Sequence, residues 1–231
     1  MTGAIANWEE RIRFEGAGIA ENVLQPGEIE QIRNALAQEG VKRSRAGIRH
    51  ALQLPTVGFI AHDGRLLTLA RQILGPEALP FRATLFDKSP SSNWLVVWHQ
   101  DTALPLRKKS VAAGWGPWST KEGVIYAHAP AHALSNILAL RLHLDDCTAE
   151  NGPLRCLPMT HSLGVLSDDQ IEGFVQRIEP VEFLVPAGSV LGMRPLVIHA
   201  SSKSRSGMPR RILHIEYSAA RGFDGMELAT A

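Results

Sequence analysis

Hydrophobic and polar positions along the chain divide it into two textures. In QPGEIEQIRNALAQ, residues 25–38, Pro26 stands at the start and acidic residues fill the first turn. Ile29, Ile32 and Leu36 recur on one face, the three-to-four spacing of an amphipathic helix. Residues 65–75 (RLLTLARQILG) repeat the pattern and stop at Gly75. From residue 81 onward the segments are short, apolar or alternating, and bounded by Pro, Gly, Asn or Asp. Strands are predicted over 81–88, 93–101, 137–146, 181–186, 189–193, 196–199 and 210–217.

The stretch ILALRLHLD, residues 137–145, alternates strictly. Leu138, Leu140, Leu142 and Leu144 point one way, and Arg141, His143 and Asp145 the other. Such a strand fits the wall of a barrel, with leucines packed on helices and ionisable side chains facing a solvated interior. Many short strands preceded by helices predict a mainly β fold with flanking α: a jelly roll or open barrel with the N-terminal helices packed outside. The expectation is one domain over 1–231, helical to about residue 80 and β from about 81 to 218. Residues 103–136, with Gly114, Trp115, Gly116 and Trp118, read as a long loop, functional, disordered or simply packed.

Composition adds little. A hydrophobic fraction of 45% and a charged fraction of 20% fit a globular core, and the net charge of +1 gives no sign of nucleic acid or a membrane surface. Cys147 and Cys156 form neither a CxxC motif nor a disulfide framework, which favours a reduced compartment. The charged N-terminus lacks the apolar stretch of a signal peptide, so a cytoplasmic location is expected.

The candidate chemistry begins at WHQD. Residues two apart on a strand project from one face, so His99 and Asp101 can share an ion. His143-Leu144-Asp145 has the same spacing, and chance alone predicts fewer than one such match, so the tripeptide decides nothing. A later histidine on another strand would complete a 2-His-1-carboxylate triad, typical of non-heme Fe(II) oxygenases. His199, at the end of PLVIHA, is the best candidate. The run Arg107-Lys108-Lys109 is read as a solvated cluster, or else as a landing point for an anionic substrate.

WHQD, the stretch LRLHLDDCTAENGPLRCLPMTHSLG and the pattern H-x-S-x8-R together resemble the phytanoyl-CoA dioxygenase family. The resemblance implies a double-stranded β-helix, cupin-like in architecture, that uses Fe(II), 2-oxoglutarate and O2 to hydroxylate a small-molecule substrate and releases succinate and CO2. It places His99, Asp101 and His199 on the iron. It gives Arg210 the far carboxylate of 2-oxoglutarate, with Arg211 as the alternative if the register differs by one. It puts Ser201, Arg141, Thr84 and Lys88 in the cosubstrate pocket. Trp115, Trp118 and Tyr126 are candidates for the substrate mouth. The intact Asp101 favours hydroxylation over halogenation. A cupin-like metalloenzyme without 2-oxoglutarate, or a binding module on the same fold, stays open.

Overall fold

The computed structural model describes residues 3–39, 47–89 and 92–231. Both helices read from the sequence form, over Pro26–Gln38 and Gly64–Leu74. Glu28 Oε2 accepts from the Gln25 N–H at 2.8 Å, and Asp63 Oδ1 accepts from the Arg65 N–H at 2.8 Å, so each N-terminus has a carboxylate cap. The second helix ends at Gly75, whose φ of +96° suits a residue without Cβ. Helices at Gly3–Phe14, Pro55–Ala61 and Asp168–Val175 add to these. Residues 40–46 of the expected helical region lie outside the described residues.

Among the described residues, the major sheet orders its six strands as Ala17–Ala20, Val190–Met193, Ile137–His143, Arg210–Ser218, Leu79–Lys88 and Gly47–Ile48. The pairings along it are antiparallel. A four-stranded sheet runs Val181–Phe183, Leu154–Leu157, Ile198–Ser201, Val96–His99. One apolar cluster joins Ala139, Leu191 and Met193 of the first sheet to Leu154, Cys156 and Phe183 of the second, so the two sheets face each other. This is the expected jelly roll.

The alternation in Ile137–His143 has its expected result. Leu138, Leu140, Leu142 and Leu144 pack with Ile29, Ile32, Leu66 and Leu69 of the helices, in a core that also holds Trp8 and Ile12. Each such leucine contributes about 1.5–3 kcal/mol when fully buried. Helix Gly3–Phe14 comes close enough that a Cβ on Gly192 would stand 2.8 Å from Trp8 and 2.9 Å from Ile12. Helix Asp168–Val175 covers the second sheet from outside, Ile171 meeting Leu157 and Ile198.

Several segments differ from expectation, and the strands Ala17–Ala20 and Leu154–Leu157 lie outside the predicted ones. Residues 103–136 are no loop. They contain Ala103–Leu106, Trp118–Lys121 and Val124–His128, a three-stranded sheet, and the helix Ala131–Leu134. Glycine and proline between short apolar runs hid these strands. The Trp98 strand covers only Val96–His99, because Asp101 gives its N–H to Pro195 O (2.9 Å) outside any ladder. The His199 strand is Ile198–Ser201, two residues later than 196–199.

Candidate metal and cosubstrate site

A cavity of about 210 Å³ opens between the two sheets. His99, Asp101 and His199 line it from the smaller sheet. Lys88, Arg141 and Arg210 line it from the larger one. His199 and His99 are register partners on adjacent antiparallel strands, and Asp101 follows where the second of these ends. His199 Nε2 lies 3.5 Å from Asp101 Oδ2, and His99 Nε2 lies 3.5 Å from Asp101 Oδ1. One ligand atom from each residue falls within 4.8 Å of the others, close enough for one ion to touch all three.

Both imidazoles are oriented in the same way. His99 Nδ1 donates to Val97 O at 2.8 Å and His199 Nδ1 to Val197 O at 2.9 Å. Committing Nδ1–H to a carbonyl leaves each Nε2 with a free lone pair facing the cavity, as a metal requires. Burial lowers the His199 pKa to about 4, which keeps that ring neutral. Burial also acts on His99, but the hydrogen bond and charge of Asp101 outweigh it and raise its pKa. Asp101 lies well below the usual carboxylate range, since the two imidazoles outweigh its burial.

Gln100, between the ligands, turns the other way. Its Nε2 donates to Gly164 O (2.9 Å) and Leu196 O (2.8 Å), and its Oε1 accepts from the Leu166 N–H (2.8 Å). Three bonds on the outward side fix the backbone that aims Asp101 inward.

The deeper wall is cationic. Lys88 Nζ donates to Ser201 Oγ (2.9 Å) and Ser202 O (2.6 Å), while Ser201 Oγ donates to Gly152 O (2.8 Å). Arg210 is 3% exposed, and its Nη2 stands 3.5 Å from Ser201 Oγ. Its Nε and Nη1, with Nε of Arg141, are buried without a protein partner. Unsatisfied buried guanidinium donors are costly, and a dianion placed among them would satisfy them. Burial, then Arg210 and Arg141, lower the Lys88 pKa to about 7, and burial with Arg210 lowers that of Arg141 to about 10. The donor set fits a divalent metal at the triad and a dicarboxylate beside it.

Arg211 turns away. Its backbone N–H, Nε and Nη2 all donate to Asp145, at 2.8, 2.8 and 2.7 Å, and Arg33 adds a 3.3 Å contact. The rival pair is thereby separated, Asp145 being tied to arginines and His143 buried without a partner at either ring nitrogen. Thr84 and Tyr126 line the cavity. Trp115 and Trp118 do not. Trp115 is buried and donates to Asp224 Oδ2 at 2.9 Å, and both tryptophans border a separate cavity beside Lys109. Arg107 pairs with Glu227, so the basic run lies away from this mouth.

Arg49, Arg82, Lys121, His214, Phe86 and Trp94 also line the cavity. The first three lie in segments that carry no motif. Arg141 Nη1 donates to His214 Nδ1 (3.0 Å), His214 Nε2 lies 3.5 Å from Glu216, and Glu216 pairs with Arg82. This buried chain links Arg141 to Arg82 beside the cavity.

A 2-His-1-carboxylate site inside a jelly roll, with cationic donors next to it, defines the class of mononuclear non-heme oxygenases. A family model described as Phytanoyl-CoA dioxygenase (PhyH) matches residues 12–212, and the chain belongs to that family. L-proline trans-4-hydroxylase of Streptomyces griseoviridis is 26% identical over 179 residues, 66% of this chain and 59% of that protein. A probable alpha-ketoglutarate-dependent hypophosphite dioxygenase of Stutzerimonas stutzeri is 24% identical over 183 residues, 73% of this chain and 55% of that one. The chain therefore spans less than two thirds of these curated relatives. In fold it resembles AviO1 from Streptomyces viridochromogenes Tue57, with a TM-score of 0.69 at 22% identity over 97% of both chains. It also resembles the epimerase SnoN crystallised with Fe3+, alpha ketoglutarate and nogalamycin RO, with a TM-score of 0.69 at 19% identity over 100% of this chain and 96% of that one.

Proposed function

We propose that the protein is an Fe(II)- and 2-oxoglutarate-dependent hydroxylase of a small molecule. One observation carries this reading: the His99–Asp101–His199 triad and the Lys88–Ser201–Arg210 cluster face the same cavity. His99, Asp101 and His199 hold the iron. Arg210 and Lys88 hold the far carboxylate of 2-oxoglutarate, with the Ser201 hydroxyl between them and Arg141 beside them. Bound together, iron and 2-oxoglutarate supply oxidation of an unactivated C–H bond by O2, with succinate and CO2 as co-products.

The chain's own contribution is orientation and exclusion of water. Val97 O and Val197 O fix the imidazoles, Gln100 fixes Asp101, and the apolar cluster around Leu154 and Cys156 closes off one side of the site. The Asp101 carboxylate occupies a position that a halide would need, which favours hydroxylation. Both curated relatives are named for compact molecules, L-proline and hypophosphite. A cavity of about 210 Å³ is in keeping with a compact substrate here.

The test is anaerobic addition of Fe(II) and 2-oxoglutarate. A visible charge-transfer band, absent with either component alone, is expected, followed by succinate release on admitting O2. Metal binding without the band would favour a metalloenzyme that does not use 2-oxoglutarate.

A further inference from the structure

The outer end of the cavity carries a positive charge that neither the metal nor the cosubstrate requires. Arg49, Arg82 and Lys121 line it around Tyr126. Two of the three are matched. Arg82 pairs with buried Glu216 and gives Nη1 to Ala103 O at 2.8 Å. Arg49 Nη1 meets Glu122 Oε1 at 3.1 Å. Lys121 has no carboxylate within ion-pair distance among the described residues, and its ammonium lies 5.1 Å from the Tyr126 ring centroid.

Local structure holds Lys121 in this place. It is the last residue of Trp118–Lys121, paired across a two-residue turn with Val124. The turn residues Glu122 and Gly123 have φ of 50° and 84°, the signature of a tight hairpin that matches strand twist. The Arg49–Glu122 pair ties this hairpin tip to the end of Gly47–Ile48, and the Tyr126 hydroxyl bonds His50 Nε2 at 3.0 Å. Burial, then Arg82 and Arg49, depress the Lys121 pKa, and the charge of Asp101 offsets this only in part. On the hydroxylase reading, 2-oxoglutarate takes up the inner cations Lys88, Arg141 and Arg210, and the metal takes up Asp101.

We propose that Lys121, with Arg49 and Tyr126 beside it, recognises an anionic group on the substrate, so that the substrate is a small carboxylate or phosphate ester. This rests on the hydroxylase reading, which leaves the inner cations to 2-oxoglutarate. The anion is bound at the mouth, and the rest of the substrate extends inward toward the metal.

The experiment is isothermal titration of the anaerobic Fe(II)–2-oxoglutarate protein with inorganic phosphate, with benzoate, and with neutral benzamide. Saturable binding of at least one anion is expected, with benzamide at least about tenfold weaker than benzoate if benzoate binds. K121Q should weaken the anion about tenfold (about 1.4 kcal/mol), K121R should restore it, and K109Q should match wild type. Phosphate alone binding would indicate a phosphate ester, and benzoate alone a carboxylate. No saturable anion binding, an unchanged affinity in K121Q, or an equal loss in K109Q would overturn the proposal. Failure of the charge-transfer band overturns the hydroxylase reading instead. The K121Q comparison is then repeated on metal-free protein, where unchanged phosphate and benzoate affinities reject the Lys121 site by themselves.

Discussion

His199 and His99 stand directly opposite one another on adjacent antiparallel strands, with ring centroids 4.2 Å apart. Exactness of register therefore sets the metal geometry. A slip of one residue would turn one ring to the other face of the sheet. The first prediction follows from this pair. H199A or D101A should lower Fe(II) affinity by more than the ~10–100-fold that loss of a ligand's outer partner costs. Equilibrium dialysis with iron analysis measures it, and retention of wild-type affinity would remove these residues from the site.

Arg210 and Arg211 separate cleanly. R210A should weaken 2-oxoglutarate by about 2–5 kcal/mol, as for truncation of a buried charge partner, seen as a rise in its KM or Kd. R211A should leave cosubstrate affinity near wild type and instead destabilise the fold by about 1.5–3 kcal/mol, because Asp145 loses its hydrogen-bonded partner. Thermal melts and cosubstrate titrations of the two variants should give opposite profiles.

On the proposed function, Lys88 should make cosubstrate binding depend on pH. Burial, Arg210 and Arg141 hold its pKa near 7, below its ordinary value, and a bound dianion would raise it again. Binding then takes up a proton above pH 7. The affinity for 2-oxoglutarate is fully present below about 7 and falls by up to about tenfold per pH unit above it, until the pKa of the complex is reached. The same depressed pKa makes the unliganded fold gain stability as pH rises from about 7 toward the ordinary lysine value. K88M should flatten the affinity profile, and titrations at several pH values would show whether it does.

Gly152 offers a test through backbone shape. Its φ is +73°, and a Cβ there would stand 2.3 Å from Ser202 O and 3.3 Å from Lys88 Nζ. G152A should cost about 1–3 kcal/mol in stability and disturb the Lys88–Ser201 pair. A fall in melting temperature accompanied by weaker 2-oxoglutarate binding is expected. An unshifted melt would show that the loop relaxes freely.

Much of the architecture was legible because periodicity reports burial. The strict alternation of 137–145 put the leucines on the helices, and the two amphipathic runs became Pro26–Gln38 and Gly64–Leu74. Strand limits were less legible. Val96–His99 is shorter than the apolar run suggests because its end is set by Pro195, a neighbour remote in sequence. Within the site, the motifs pointed to residues the fold brings together: His99, Asp101 and His199 at one end, Lys88, Ser201, Arg141 and Arg210 beside them. They said nothing of Arg49, Arg82 or Lys121, whose meeting depends on how the 103–136 segment folds back over the sheet. Tryptophans drew attention in that segment, yet Trp115 is held by Asp224 and the apolar cluster around Phe81 and Met226. Only Tyr126, of the three aromatic candidates, reaches the cavity.

The hairpin that carries Lys121 and Tyr126 belongs to a small sheet of its own, while His99, His199 and Arg210 sit on the two facing sheets and Asp101 directly follows one of their strands. Its tip touches the rest of the mouth through the exposed Arg49–Glu122 pair. On the proposed function, choice of substrate and activation of oxygen would thus rest on separate scaffolding. Exchanging residues 118–128 for another hairpin is a route to redirecting the enzyme toward a new molecule while its oxidising centre stays as it is.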